Sequence, residues 1–186
     1  NILVEILRAK GSEFDQYLIE ARQRALGAVP EVTLTTPQPA LNNTYPTTID
    51  YSQPLDRMIK AGYYSYVNSG INERNFPIQG SGLVQRNIEL VHFNRNIGSD
   101  DAIKKMDKMG LRPATLVELL ALGAQYPDLQ RQFPIVAFGS AWQSPDGSRC
   151  VPFLWGGSVN RILDLYCFED GWYAISRFAA VRQSVK

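Results

Sequence analysis

After Pro134, short turn sequences divide the chain into four runs that are rich in apolar, aromatic and β-branched residues. The turns are SPDGS, GGSVN and EDG, and their glycine, asparagine, aspartate, serine and proline residues favour tight reversals of the backbone. Strands that follow one another through such turns usually pair as antiparallel neighbours. The pattern therefore predicts an antiparallel β-meander of three or four strands: 134–143, 148–156, 161–169 and 171–182.

Details of these runs predict where each strand lies in the sheet. IVAFGSAW is apolar on both faces, which favours a central position. Pro152 has no amide hydrogen to donate, so its strand is expected at an edge or at a bulge. The last two runs flank EDG and are expected to close a hairpin. Four of their residues are expected in the core: Leu163, Leu165, Phe178 and Val181.

Two helices are predicted immediately before these runs. GSDDAIKKMDKMG places Ser99 at the predicted N-cap, acids in the first turn, and Gly110 just past the last turn. Thr115 and Glu118 have the spacing of a capping box that opens a second helix. A further strand is predicted upstream, over 83–97. The order strand, helix, helix and β-meander predicts an α+β fold.

The chain is expected to have three regions. Residues 1–27 contain an amphipathic helix at 14–27 that could tie chains into a homo-oligomer. Residues 28–54 are rich in proline and threonine and are expected to form an extended connector. Residues 55–186 are expected to form the folded domain, beginning with a short helix. KGSEF, at 10–14, is also what common cloning sites encode, so the native origin of the first 14 residues stays open.

The charge of the chain argues against two classes of partner. The formal net charge is +1 at neutral pH, so no basic field favours nucleic acid or an anionic membrane. No apolar run approaches the length of a membrane span. We therefore expect neither nucleic acid nor a membrane as a partner, and the compartment stays open.

Residues suited to catalysis or metal binding are scarce. His92 is the only histidine, and we expect it to pack or hydrogen-bond within a strand. Asp100 and Asp101 are explained by helix capping, and Asp146 by β-turn chemistry. No catalytic residue, calcium site or other metal site, and no cofactor, is predicted.

The two cysteines, Cys150 and Cys167, lie on runs that could be neighbouring strands. Two cysteines are too few for a scaffold that depends on disulfides. The spacing leaves two alternatives open, a single cross-strand disulfide or two buried, reduced thiols.

Three segments resemble the C-type lectin-like fold, over residues of about 85–182. IGSDDAIKKMDKMGLRPATLVELLAL resembles the two helices of that family, GSAWQSPDG a strand and turn, and GWYAISRFAAVR its last strand. The strings Glu-Pro-Asn, Gln-Pro-Asp and Trp-Asn-Asp of its calcium-dependent members are absent, as is the four-cysteine pattern. The resemblance therefore implies the scaffold, and neither calcium-dependent sugar binding nor the catalysis of the formylglycine-generating type.

Tryptophans next to the turns suggest a recognition surface, because Trp and Arg are common at the energetic centres of interfaces. Each tryptophan could instead cap the core of the sheet. The leading hypothesis is a calcium-independent module that binds a protein or a glycan through the loops of the meander. One alternative is a structural or assembly protein, and another is a cysteine-dependent enzyme. The predicted ligand-binding residues are Trp142, Gln143, Arg149, Trp155, Asn160 and Arg161.

Overall fold

The computed structural model describes residues 43–183, and every structural statement below concerns that part of the chain. Four helices and a mixed sheet of nine strands make up this part, which confirms the α+β class. The predictions for residues 1–42, including the helix at 14–27, lie outside the described residues.

The helices are α1 (Leu55–Ala61), α2 (Ser99–Lys108), α3 (Leu116–Gln125) and α4 (Leu129–Gln132). The strands are β1 (Thr44–Asp50), β2 (Tyr66–Val67), β3 (Leu83–Val91), β4 (Leu111–Pro113), β5 (Ile135–Val136), β6 (Trp142–Gln143), β7 (Arg149–Gly156), β8 (Arg161–Cys167) and β9 (Arg177–Arg182). The strand order is β1-β3-β9-β5-β7-β8-β2, with β4 also paired to β9 and β6 to β7. The β2–β8 and β5–β9 pairs are parallel, and the others are antiparallel.

The predicted hairpin of the last two strands is wrong, because β9 pairs with β3, β4 and β5 while β8 pairs with β7 and β2. The segment between β8 and β9 is instead hydrogen-bonded to residues at the start of α2 and just before it. Ile97 and Trp172 exchange two backbone hydrogen bonds of 3.0 and 2.9 Å. Trp172 Nε1 donates to Ser99 Oγ at 2.8 Å, and that hydroxyl donates to the Phe168 carbonyl at 2.6 Å. Ser99 is therefore not the N-cap, a position that Gly98 occupies.

The run 134–143 forms two short strands, β5 and β6, instead of one long strand. β5 is central, as predicted, since it lies between β7 and β9. Pro152 was expected at an edge or at a bulge, and its position in an internal strand excludes the edge. Its carbonyl accepts from the Ala137 amide at 3.1 Å, beside the interruption between β5 and β6. An internal proline is tolerated there because the neighbouring ladder is already broken.

Both faces of the central strands β5, β7 and β9 are buried. On one face, Leu154 and Leu163 belong to a core that includes residues of α3. The other face carries aromatic rings, among them Phe178, which stacks on Phe138 with ring centroids 5.3 Å apart. Leu163, Phe178 and Val181 are buried as predicted, whereas Leu165 is only half-buried.

The strand β1 lies inside the region expected to be an extended connector. It pairs along its whole length with β3. Its outer edge is covered by α3, since the Gln125 side chain bonds both backbone groups of Thr48, at 3.0 and 2.8 Å. The hydroxyl of Tyr126 donates to the carbonyl of Pro46 at 2.7 Å. These bonds occupy an edge that would otherwise be open to pairing with another strand.

The capping box of Thr115 and Glu118 is confirmed. The Glu118 carboxylate is fully buried and forms a 2.6 Å ion pair with Arg112. Burial opposes the ionisation of Glu118, but the hydrogen bonds from Arg112 and Thr115 outweigh it and hold its pKa below the usual value of 4.5. The charged form is therefore part of the folded structure.

We expect Glu118→Gln to lower the free energy of unfolding by about 1–3 kcal/mol at neutral pH, because it breaks a buried, charge-assisted bond. Since the folded pKa is depressed, this contribution is complete above pH 4.5 and is lost as the pH falls through the lower folded value. Urea unfolding at pH 7 and pH 3 checks this, with the exposed Asp170→Asn as control. The prediction would be contradicted if the free energy of unfolding fell by the same amount from pH 7 to pH 3 in the variant and in the wild type.

Candidate functional site

The six predicted site residues lie at two ends of the β7–β8 hairpin. Trp142 and Gln143 form β6 and pair with Cys150 and Arg149 of β7. Arg149 begins β7 at the same end, whereas Trp155, Asn160 and Arg161 lie at or next to the turn at 157–160. The eight residues of β7 separate the two ends by roughly 25 Å. The structure therefore brings together three of the six, which are Trp142, Gln143 and Arg149.

Trp155 and Arg161 are built into the interior, each with only 7% of its surface exposed. The Arg161 guanidinium donates to the carbonyls of Gly62 and Gly123 and lies over the Tyr64 ring, 5.1 Å from its centroid. These contacts give Arg161 a structural role, and burial lowers its pKa. Asn160 stays exposed in the turn.

An open cavity of about 440 Å³ lies at the opposite end of the hairpin, and we name it the β6–β7 groove. Residues that carry an indole, an amide, a guanidinium and a carboxylate line it. Its lining residues are Ala141, Trp142, Gln143, Gly147, Arg149 and Glu169.

Arg149 is fixed at the wall of the groove by two contacts. Its Nε atom lies 3.2 Å from Oε1 of Glu169, and both side chains are about half exposed. Its guanidinium lies 3.4 Å from the centroid of the buried Phe168 ring. A cation over an aromatic face is attracted by the ring quadrupole. The charged pair is therefore held in place while it faces solvent.

Trp142 is half-buried, and its ring rests on the hydrophobic core through Gly70 and Leu165. A Cβ atom at Gly70 would lie 3.0 Å from Cζ3 of Trp142 and 2.9 Å from Cδ1 of Leu165. Only glycine therefore allows the indole to lie this close to the backbone. This support fixes the ring of Trp142, a residue that lines the groove.

The turn between β6 and β7 is closed by hydrogen bonds. The Ser144 amide donates to the Ser148 carbonyl, and the Gly147 amide donates to the Ser144 carbonyl, both at 2.8 Å. Asp146 accepts from the Ser148 amide at 2.9 Å, and hydrogen bonds from Ser148 and Ser144 lower its pKa. Gly147 has a φ of +91°, a conformation that favours glycine. The turn thus holds the two strands of the groove in fixed register.

The two cysteines lie next to the groove on adjacent strands, both free and half-buried. Burial raises the pKa of Cys150 to about 11, and the neighbouring Cys167 adds to this effect. Cys167 donates to Oε2 of Glu169 at 3.2 Å, and this bond is the main cause that holds the pKa of Glu169 below its usual value. A nucleophilic cysteine needs a lowered pKa, so the environment of Cys150 is the opposite of an activated one.

His92 lies outside the groove and holds a loop, donating from Nε2 to the Ala174 carbonyl at 2.7 Å. Within residues 43–183, no three histidine, cysteine, aspartate or glutamate side chains are grouped so that they could hold a metal ion. The same part of the chain has no helix with the length and apolar character needed to cross a membrane.

Glu169, expected only as part of the EDG turn, also lines the groove. Cys150 and Cys167 are opposite each other, and just beyond them Arg149, one residue before Cys150, meets Glu169, two residues after Cys167. Opposite charges just outside the two cysteines were the available signal. No protein-family model, curated protein or solved structure matches this chain.

Proposed function

We propose that the protein is a calcium-independent recognition module that binds its ligand in the β6–β7 groove, on a scaffold of the C-type lectin-like type. The observation that carries the proposal is that Trp142, Arg149 and Glu169 all line one open cavity. Aromatic rings beside a few well-placed polar groups are typical of binding sites.

The groove is organised before a ligand arrives. Phe168 and Glu169 fix Arg149, while Gly70 and Leu165 support Trp142. Side chains that are already ordered lose little conformational entropy on binding. This supports a surface that binds without rearrangement.

A protein ligand fits this chemistry better than a glycan. Tryptophan and arginine are the side chains that most often carry the binding energy of protein interfaces. The pair of Arg149 and Glu169 offers one group of each sign, and a partner's charged side chains can complement both. A glycan remains the other outcome that the experiment distinguishes.

Independence from calcium is supported by the state of the nearby carboxylates. Glu169 is engaged with Arg149 and Cys167, and Asp146 with the Ser148 amide. Calcium requires six to eight oxygen ligands, and here these two carboxylates already serve local hydrogen bonds.

The experiment compares capture of proteins from a lysate and binding to a glycan array, each with calcium and with a calcium chelator. We expect Trp142→Ala and Arg149→Glu to reduce capture of the same protein set by about tenfold or more. The matched controls are Tyr63→Ala, since Tyr63 is 86% exposed, and Asn160→Ala at the far end of the hairpin. These controls should bind like the wild type, and circular dichroism verifies folding.

Several results would count against this proposal. Equal capture by folded Arg149→Glu and wild type would place the binding surface elsewhere. Loss of capture on removing calcium would contradict the calcium-independent reading. Signal on the glycan array that depends on Trp142 would change the ligand class. Capture of further copies of this chain, unaffected by either variant, would favour the assembly alternative.

A further inference from the structure

Cys150 and Cys167 lie directly opposite each other in the antiparallel β7–β8 pair. Opposite residues in such a pair alternate between a hydrogen-bonded type and a non-hydrogen-bonded type, and the side chains are closer in the second. The type at the cysteines follows from where the backbone groups of the two strands point.

On β8, the carbonyls of Arg161 and Leu163 accept from Ser65 at 2.8 Å and Asn68 at 3.0 Å. Both therefore point away from β7. Cys167 is an even number of residues further along the strand, so its backbone groups point the same way.

On β7, the Pro152 carbonyl accepts from Ala137 and therefore points away from β8. Cys150 precedes Pro152 by two residues and shares its orientation. Both strands thus independently assign Cys150 and Cys167 to a non-hydrogen-bonded pair.

This assignment places the two thiols within reach of each other. The Cα atoms of a non-hydrogen-bonded pair are about 4.5 Å apart, which lies inside the range of about 4.4–6.8 Å found for disulfides. Each thiol is now turned to a different acceptor, Cys150 to the Ser148 carbonyl and Cys167 to Glu169. Rotation about the side-chain bonds, without a shift of the strands, would bring the two sulfurs together.

We propose that Cys150 and Cys167 are a site of oxidation, at which a disulfide compound such as glutathione disulfide converts the two thiols into a cross-strand disulfide. The bond would fasten the end of the hairpin from which Arg149 and Glu169 line the groove. The proposal is independent of what the groove binds.

The exchange balances in two steps. The thiolate of one cysteine attacks glutathione disulfide, forms a mixed disulfide and releases one glutathione as its thiol. The thiolate of the other cysteine then attacks the protein sulfur of the mixed disulfide and releases the second glutathione. Two protein sulfurs lose one electron each, and one glutathione disulfide is reduced to two thiols.

The surroundings of the pair favour the oxidised form once it has formed. Burial and the neighbouring Cys167, Asp146 and Glu169 raise the pKa of Cys150 to about 11, so the reduced pair gains nothing from a stabilised thiolate. A disulfide is harder to reduce when its reduction does not yield a stabilised thiolate.

The test incubates the full chain with excess glutathione disulfide and follows its intact mass. We expect the wild type to lose two hydrogens and to carry no bound glutathione. The variants Cys150→Ser and Cys167→Ser each keep one thiol and should instead acquire one glutathione. Oxidation should raise the thermal midpoint of the wild type by about 5–10 °C, and should not raise that of either variant.

Three outcomes would overturn the proposal. One is a wild type that retains glutathione on both cysteines, which would show that the thiols do not meet. Another is a wild type that forms covalent dimers in place of the internal bond. The third is an unchanged mass in the wild type and in both variants, which would show that the site is closed to disulfide compounds.

Discussion

Phe178→Ala is expected to lower the free energy of unfolding by about 3–5 kcal/mol. Phe178 is 1% exposed and lies on β9, the strand between β3 and β5. Its ring stacks on Phe138 and meets the edge of Trp172 at a centroid distance of 6.2 Å. Truncation would leave a cavity between rings that are fixed by the sheet, so the site cannot easily collapse.

Urea unfolding measures this loss, and Tyr173→Ala is a control from the same end of the chain. Tyr173 is 44% exposed, so its truncation should cost less than about 1 kcal/mol. A similarly small loss for Phe178→Ala would mean that β9 contributes little to the core.

Arg161→Ala is expected to cost about 2–4 kcal/mol, because it leaves the buried carbonyls of Gly62 and Gly123 without a donor and opens a cavity beside Tyr64. Arg149→Ala is the matched control, since that arginine is half-exposed and its ion pair faces solvent. We expect it to cost less than about 1 kcal/mol.

Both arginine variants are measured by equilibrium unfolding in urea. Comparable losses at the two positions would contradict the assignment of Arg161 to the interior and Arg149 to the surface. Arg161→Lys adds a further check, because an ammonium cannot match the fork with which the guanidinium reaches both carbonyls. It should recover only part of the loss.

Two features were predicted correctly from local signals in the sequence. The capping box of Thr115 and Glu118 involves residues three apart, so the chain itself contains both partners. Gly110, at the end of α2, has the left-handed φ of +72° expected of a glycine in that position. These features depend on neighbours in sequence and not on the rest of the fold.

The pairing of β9 was not predictable from its turn. EDG resembles a hairpin turn, but Trp172 bonds to Ile97 and Ser99, which are far away in sequence. Those contacts direct the chain across the sheet. A different signal was present, since both faces of RFAAVR are apolar near its centre, and such strands lie inside a sheet.

The candidate site was partly predictable from local sequence signals. Gln143 and Arg149 flank one short turn, so their proximity follows from the hairpin of β6 and β7. Arg161 also flanks a turn, which suggested a surface position. Its burial depends on the carbonyls of Gly62 and Gly123, which no local pattern places beside it.

Hydrogen–deuterium exchange on the full chain, alone and with a captured ligand, tests the role of the β6–β7 groove most directly. We expect the ligand to slow exchange at 141–149 and at 168–170, and to leave exchange at the far turn, 157–160, unchanged. Slower exchange at 157–160, with 141–149 and 168–170 unaffected, would contradict the assignment of the groove as the binding surface.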